Sequence, residues 1–173
     1  MITLITGGSK NGKSHIAEDI LSDCNGNKYY IATMEPYCDD ALEAIARHRA
    51  MRRDKGFITI ERYRDIGGVD IPRGSNVLLE CLPNLCANEM FIDGSVSDPC
   101  DKIFTGIRSL AERCGELVIV TNEVGCDAVA YTDETDSYIE ALSRLNRMVA
   151  DISGRVIEAV FGIAVTLKGE RSC

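Results

Sequence analysis

Two patches of the sequence carry residue types that can bind or transfer phosphate. The first, TGGSKNGKS, follows an apolar run and fits the spacing G-x-x-x-x-G-K-[ST]. Between a strand and a helix, such a loop turns backbone N–H groups toward phosphates, its lysine reaches the terminal phosphates and its hydroxyl binds Mg²⁺. An unliganded glycine-rich turn is the plainer alternative. The pattern predicts a nucleotide site made of Gly7, Gly8, Ser9, Lys10, Asn11, Gly12, Lys13 and Ser14.

The second patch concentrates positive charge around a histidine in an otherwise acidic chain. His48 is flanked by Arg47 and Arg49, and Arg52 and Arg53 follow closely. On a helix His48 and Arg52 share a face, so an imidazole able to act as a nucleophile would lie beside a group that binds phosphate oxygens. From these residues alone, an exposed basic helix with an incidental histidine is the simpler interpretation.

A nucleotide site of this kind needs a carboxylate near its metal ion, at the end of a neighbouring strand. Glu80 closes the run VLLE, and Glu123 follows LVIVTN. We prefer Glu80 because it terminates its apolar run directly. Ser14 and Glu80 are therefore the predicted Mg²⁺ ligands, and an ordinary strand-end carboxylate is the alternative in each case.

Composition narrows the class of protein. The 173 residues suit one domain, residues 1–173, and carry a net charge of −8, which argues against a broad nucleic-acid surface. The eight cysteines include no C-x-x-C pair, so we interpret most of them as reduced packing residues. No apolar run has the length of a membrane span or of a signal peptide, and we expect no stable membrane anchor and a cytoplasmic location.

Apolar runs alternate with stretches of helical composition, which predicts an α/β P-loop fold with a mainly parallel central sheet flanked by helices. Continuous apolar runs suit strands covered on both faces. We expect antiparallel edge strands at the C-terminus and an active site at the carboxyl ends of the strands. The predicted strands are 2–6, 28–33, 76–81, 116–121, 155–162 and 163–168, the predicted helices are 13–22, 39–53, 99–114 and 134–153, and surface connections are expected at 63–76 and 93–99.

Several separated segments together resemble the bifunctional adenosylcobinamide kinase / adenosylcobinamide-phosphate guanylyltransferase family of cobalamin biosynthesis. Each segment is weak alone, but their order and spacing extend the resemblance over nearly the whole chain. They are TGGSKNGKS, YIAT at 30–33, IARHR at 45–49, TIE at 59–61, LLEC at 78–81, VTNEVG at 120–125 and LNRMVA at 145–150.

The resemblance implies two reactions on a corrinoid substrate. GTP or ATP phosphorylates adenosylcobinamide, and GTP then donates GMP to adenosylcobinamide phosphate through a guanylylated histidine, which falls on His48. Lys13 supports both reactions as a catalytic residue. The resemblance also implies Mg²⁺ and a homo-oligomer, for which a trimer is one form. It adds Thr33, Arg49, Arg52, Glu61 and Glu80 to the nucleotide site.

The chain departs from the family pattern on the segments that the resemblance assigns to the corrinoid side. Pro83 and Asn84 stand after LLEC where threonines are expected, and CDAVAYTDETDSY replaces a run with a proline and an arginine after NEVG. A monofunctional small-molecule P-loop kinase and a nucleotide-dependent regulatory ATPase therefore remain the alternative functions. No NKxD motif is present to read guanine.

Overall fold

The computed structural model describes residues 1–36, 55–124 and 131–169. In these ranges strands and helices alternate along the chain, with a 3₁₀ turn at Ile66–Gly68. The strands are β1 (Ile2–Thr6), β2 (Lys28–Ala32), β3 (Phe57–Glu61), β4 (Ser75–Leu79), β5 (Phe91–Ile92), β6 (Ser95–Val96), β7 (Cys114–Val120), β8 (Arg155–Val160) and β9 (Ile163–Lys168). The α-helices are α1 (Lys13–Ser22), α2 (Leu82–Met90), α3 (Cys100–Ala111) and α4 (Asp133–Ile152).

A seven-stranded sheet in the order β3-β2-β4-β7-β1-β8-β9 forms the centre of the fold. Within this sheet every neighbouring pair from β3 to β8 is parallel. The edge strand β9 pairs with β8 in antiparallel orientation. The predicted α/β fold with an antiparallel C-terminal edge is confirmed. Because parallel strands end at the same edge of a sheet, this order brings the loops after β1, β2, β3, β4 and β7 to one side of the molecule.

Helices cover both faces of this sheet. On one face α1 contributes Ala17 and Leu21 to an apolar cluster with Ile5 of β1 and Val118 of β7. The larger cluster lies on the other face and combines the sheet with side chains of α2, α3 and α4. All five residues of β4 are buried, which explains why its sequence reads as a continuous apolar run. Burial of each large aliphatic side chain contributes about 1.5–3 kcal/mol to the free energy of folding.

Local sequence signals set where the helices begin. Helix α4 is capped by Thr132, whose side chain accepts a hydrogen bond from the backbone N–H of Thr135. Acidic residues fill its first turn, where they interact favourably with the positive end of the helix dipole. Pro83 lies in the first turn of α2, where its missing N–H leaves no bond unmade.

Three parts of the chain differ from the sequence-based expectation. β3 and α2 were not predicted as elements, and the expected connection at 93–99 contains β6, which pairs with β5 in a short hairpin. The expected surface connection at 63–76 is partly internal, because Ile66, Val69 and Ile71 are buried in the main core. The predicted helix at 39–53 lies outside the described residues. Among the helices that the structure describes, none has the length and hydropathy of a membrane span.

Candidate active site

The phosphate loop connects β1 to α1 through residues 7–12, and two glycines fix its shape. Gly7 has a φ of 131°, and a Cβ added there would lie 2.5 Å from the carbonyl oxygen of Ala159. Gly12 has a φ of 88° and starts α1. Both positions demand glycine, because other residues rarely adopt these dihedrals and because Gly7 packs directly on β8. The Gly162 N–H donates to the Asn11 carbonyl at 3.1 Å, so the turn between β8 and β9 supports the loop.

Lys13 lies inside this loop rather than in solvent. Its Nζ donates to the carbonyl oxygens of Gly7 (2.8 Å) and Gly8 (2.7 Å), and the residue is 8% exposed. Burial lowers the pKa of Lys13, and negative charge on Cys81 and Glu123 opposes that shift. Burial also raises the pKa of Cys81 to about 11, so this thiol is neutral near pH 7.

The remaining predicted site residues that the structure describes follow neighbouring strands at the same edge. Ala32 pairs with Glu61 and Ile31 with Leu79, which aligns Thr33, Glu61 and Glu80 across β2, β3 and β4. The Thr33 hydroxyl donates to the Cys81 carbonyl at 2.9 Å.

This edge carries two carboxylates near the phosphate loop. Glu80 follows β4 and is half-buried, and Glu123 lies three residues beyond β7 and is exposed. Since β7 separates β4 from β1, Glu123 belongs to the strand next to the phosphate loop, and Glu80 to the strand after that. Ser14 is exposed in the first turn of α1. Ser14 and Glu80 both offer oxygen donors of the type that Mg²⁺ prefers.

An amide of α2 holds this edge together, and sequence reasoning missed it. The Asn88 side-chain nitrogen donates to the carbonyl oxygens of Thr33 (2.8 Å) and Tyr63 (3.0 Å). Arg64 donates from Nε to the Asn88 carbonyl at 2.6 Å and forms an ion pair with Glu35. Asn88 thus ties the loop after β2 to the loop after β3. No local sequence signal reveals it, because its partners lie 55 and 25 residues away along the chain.

A second amide supports the loop after β7. The Thr121 hydroxyl donates to Oδ1 of Asn146 at 2.7 Å, and Nδ2 of Asn146 donates to the Asn122 carbonyl at 3.3 Å. Asn146 lies in the segment LNRMVA that carried part of the resemblance. Its contacts give that segment a role: it holds the residues that immediately precede Glu123.

The three predicted residues of the basic patch, His48, Arg49 and Arg52, lie outside the described residues. Lys55 is the first described residue after this segment. Its Nζ pairs with the Glu18 carboxylate of α1 at 2.5 Å. Glu18 is 5% exposed. The end of the His48 segment is therefore attached to the same helix that begins with Lys13. The other histidine, His15, is exposed on α1 and contacts Asp19 one turn later, as expected for a residue on the helix surface.

A glycine loop around a buried lysine, set between the first strand of a parallel sheet and its helix, defines a P-loop nucleotide-binding protein of the α/β class. Comparison with known proteins places the chain more narrowly. Residues 3–167 match the family described as cobinamide kinase / cobinamide phosphate guanyltransferase. The chain belongs to this family of bifunctional kinase and guanylyltransferase enzymes, which confirms the resemblance.

Two relatives align over almost their full length. The bifunctional adenosylcobalamin biosynthesis protein CobU of Escherichia coli is 31% identical, over 97% of this chain and 100% of the relative. The bifunctional adenosylcobalamin biosynthesis protein CobP of Pseudomonas aeruginosa is 29% identical, over 98% of this chain and 99% of the relative. A solved chain from Pyrococcus horikoshii OT3 has a TM-score of 0.53 at 10% identity, over 98% of this chain and 87% of the other, and shows similarity of fold alone.

Proposed function

We propose that this protein phosphorylates adenosylcobinamide and then transfers GMP from GTP to adenosylcobinamide phosphate, through a guanylylated His48. The observation that supports the proposal is that the phosphate loop, Thr33, Glu61 and Glu80 all lie at the carboxyl edge of one sheet, in a chain that belongs to this family. In the kinase step, the γ-phosphoryl group of GTP or ATP passes to the substrate hydroxyl and the nucleoside diphosphate leaves.

The guanylyl transfer consists of two displacements at one phosphorus atom. The neutral His48 imidazole attacks the α-phosphorus of GTP, a P–N bond forms, and the P–O bond to pyrophosphate breaks. A phosphate oxygen of the acceptor then attacks the same phosphorus, the P–N bond breaks, and the imidazole is regenerated. Lys13, with Arg49 and Arg52, would stabilise the charge on the transferred and leaving phosphates, which is the main requirement in such transfers.

Mg²⁺ is part of this proposal, with Ser14 and Glu80 as the residues that would hold it. The hydroxyl and the carboxylate are hard oxygen ligands, which fit Mg²⁺ better than a softer metal. When bound, the ion would neutralise charge on the nucleotide phosphates. The family resemblance further supports a homo-oligomer, such as a trimer, and the need for cellular nucleotides supports a cytoplasmic location. Sedimentation equilibrium that returned the mass of one chain would contradict the oligomer.

The test of the covalent step uses the two histidines of this chain. Incubation with α-labelled GTP and Mg²⁺ should give acid-labile, alkali-stable label on the wild-type protein and on His15→Asn, and none on His48→Asn. Phosphorylation of adenosylcobinamide should survive in His48→Asn at a reduced rate, because it needs no covalent histidine. Circular dichroism and nucleotide binding confirm that each variant is folded.

Each outcome separates the proposal from its alternatives. Wild-type labelling in the His48→Asn variant would disprove the His48 mechanism. Phosphorylated cobinamide without any protein label would identify a monofunctional kinase. Nucleotide hydrolysis that is independent of cobinamide, with neither product formed, would identify a regulatory ATPase.

A further inference from the structure

A cleft of about 310 Å³ lies on the face of the sheet that α2, α3 and α4 cover, between the short hairpin and α4. Met90 at the end of α2 and Ala141 of α4 form its apolar floor, and both are 4% exposed. Polar groups surround this floor. The principal ones are Ser97, Asp98, Ser137, Glu140 and Arg144.

The cleft has a defined shape because its walls are tied to each other. Asp98, just after β6, forms an ion pair with Arg144 of α4. Arg144 also contacts the thiol of Cys100, and that thiol donates to the Ala141 carbonyl at 3.2 Å. The loop after the hairpin is thus fixed to the third and fourth turns of α4, and the space between them is part of the folded structure.

One side chain connects this cleft to the nucleotide edge. The Tyr138 hydroxyl donates to the carbonyl of Pro83 at 3.2 Å, and Pro83 comes three residues after Glu80. The Tyr138 ring lies 6.5 Å, between ring centroids, from the ring of Phe91 on the hairpin. Tyr138 is adjacent in sequence to Ser137, which lines the cleft. Helix α4, which lines the cleft, therefore also contacts the first turn of α2, directly after the end of β4.

The lining combines groups that suit an amphipathic ligand rich in amides. Val96 lines the cleft and is 48% exposed, and Phe91 on the same hairpin is 39% exposed, so apolar surface lies beside the polar groups. The carboxylates of Asp98 and Glu140 can accept hydrogen bonds from amide N–H groups, and the Ser97 and Ser137 hydroxyls can donate to amide carbonyls. Among the described lining residues, two carboxylates stand against one arginine, so this part of the lining is net acidic.

We propose that this cleft binds the corrinoid acceptor of the transferase by one edge of its macrocycle. The proposal rests on the proposed function, from which the ligand class comes. A cobalt corrinoid is an apolar macrocycle bordered by amide side chains, and adenosylcobinamide carries a positive charge, which matches both the apolar floor and the acidic border. The cleft is too small for the whole macrocycle, so the arm that bears the hydroxyl group stays outside it and can extend toward the phosphate loop.

The test measures corrinoid binding without nucleotide, by equilibrium dialysis read from the visible absorbance of adenosylcobinamide. Ser137→Trp fills the cleft, and we expect it to raise the dissociation constant at least about tenfold. Ser143→Trp is the matched control, because Ser143 is also exposed on α4 but does not line the cleft, and it should change the constant less than about twofold. Glu140→Lys, which reverses a charge on the border, should weaken binding, whereas Glu134→Lys in the first turn of α4 should have a small effect.

The outcomes distinguish this inference from the proposed function. Unchanged dissociation constants in both folded cleft variants would overturn the cleft, and equal weakening by Ser143→Trp would do the same. Labelling by α-labelled GTP does not require the acceptor, so it should be normal in Ser137→Trp. A wild-type protein that binds the corrinoid at the cleft but never becomes labelled would support the cleft and contradict the guanylyl-histidine. A wild-type protein that fails to bind the corrinoid would overturn the cleft even if labelling occurs.

Discussion

Lys13 is the residue on which both proposed reactions depend, and in the described structure its ammonium group is bound by the carbonyl oxygens of Gly7 and Gly8. Incoming phosphates would take over those contacts. We predict that Lys13→Ala loses about 3–4 kcal/mol of transition-state stabilisation in the kinase and the guanylyl-transfer reactions alike. Steady-state rates of both reactions measure this loss. Lys28→Ala, which removes a lysine bound to the Ser22 carbonyl at the far edge, is the control, and a folded Lys13→Ala with normal rates would contradict the assignment.

The shape of the phosphate loop depends on one close contact of Gly7. Gly7→Ala would place a methyl group 2.5 Å from the Ala159 carbonyl oxygen in addition to straining the backbone. We predict a lower free energy of unfolding by more than about 2 kcal/mol and loss of nucleotide binding. Urea denaturation and calorimetric titration with GTP measure the two effects.

Gly26→Ala separates the effect of strain from that of the contact. Gly26 also has a positive φ, of 93°, but no atom lies within 4 Å of the added Cβ. In this variant the free energy of unfolding should fall by only about 1 kcal/mol, and GTP should bind normally. If Gly7→Ala behaved like Gly26→Ala, the packing of the loop on β8 would not determine its function.

At the scale of elements, α2 positions two loops through Asn88. We predict that Asn88→Leu lowers the rate of guanylyl transfer by more than its effect on stability explains, because the loop after β2 carries Thr33 and leads into the His48 segment, and the loop after β3 follows Glu61. Leaving buried carbonyls unpaired should also lower the free energy of unfolding by about 1–3 kcal/mol. Labelling by α-labelled GTP, at a temperature where the variant is fully folded, measures the functional effect.

Asn76→Leu is the matched control for that experiment. Asn76 is 5% exposed, and its amide donates to the Asn25 carbonyl at the opposite edge of the sheet. The two variants should be destabilised to a similar extent, but only Asn88→Leu should slow labelling. Equal slowing in both would show that Asn88 contributes to stability alone.

At the scale of the whole molecule, the reactivity of the cysteine thiols measures how well the fold shields them from solvent. Burial raises the pKa of Cys86 to about 12, and those of Cys81 and Cys114 to about 11. At pH 8 only about 0.01% of a thiol with such a pKa of 12 is thiolate, and the thiolate is the reactive form. We predict that these three cysteines react with iodoacetamide far more slowly in the native protein than in urea, as measured by peptide mass spectrometry.

The same shifts determine the pH dependence of stability. The folded protein retains these thiol protons at pH values where the unfolded chain releases them, so their contribution to stability is complete below the ordinary thiol pKa and falls as the pH rises above it. The free energy of unfolding should therefore decrease as the pH rises from about 9 to about 11. In the iodoacetamide experiment described above, modification of the native protein as fast as in urea would contradict the burial of these side chains.

Local patterns predicted those parts of the fold whose stabilising contacts are local. The strand at 2–6 and the helix at 13–22 follow from an apolar run and from the helical composition beside it, and the structure agrees. β3 was missed because an edge strand with exposed Ile58 and Thr59 lacks a clear burial pattern. The buried turn at 63–76 was missed because its apolar residues stand singly among glycines and charges, and only contact with α3 reveals their burial.

The candidate site divides in the same way. The phosphate loop could be predicted because its function requires a fixed spacing of glycine, lysine and serine within one short segment. Glu80 was predicted from its place at the end of an apolar run, and Thr33 and Glu61 came from the family resemblance. Parallel pairing explains why residues so far apart in sequence share one edge. Asn88 and the cleft were not predictable, since each depends on contacts between elements that are distant in the chain.

The parallel order of the strands also decides how this protein can be attached to a surface. All the loops assigned above to phosphate or nucleotide leave one edge of the sheet, and the turn between α1 and β2 leaves the other. Gly26 is exposed in that turn with open space around it. A single biotin-bearing residue incorporated at Gly26 would fix the molecule to a sensor chip by its far side, with the phosphate loop directed toward the flowing solution.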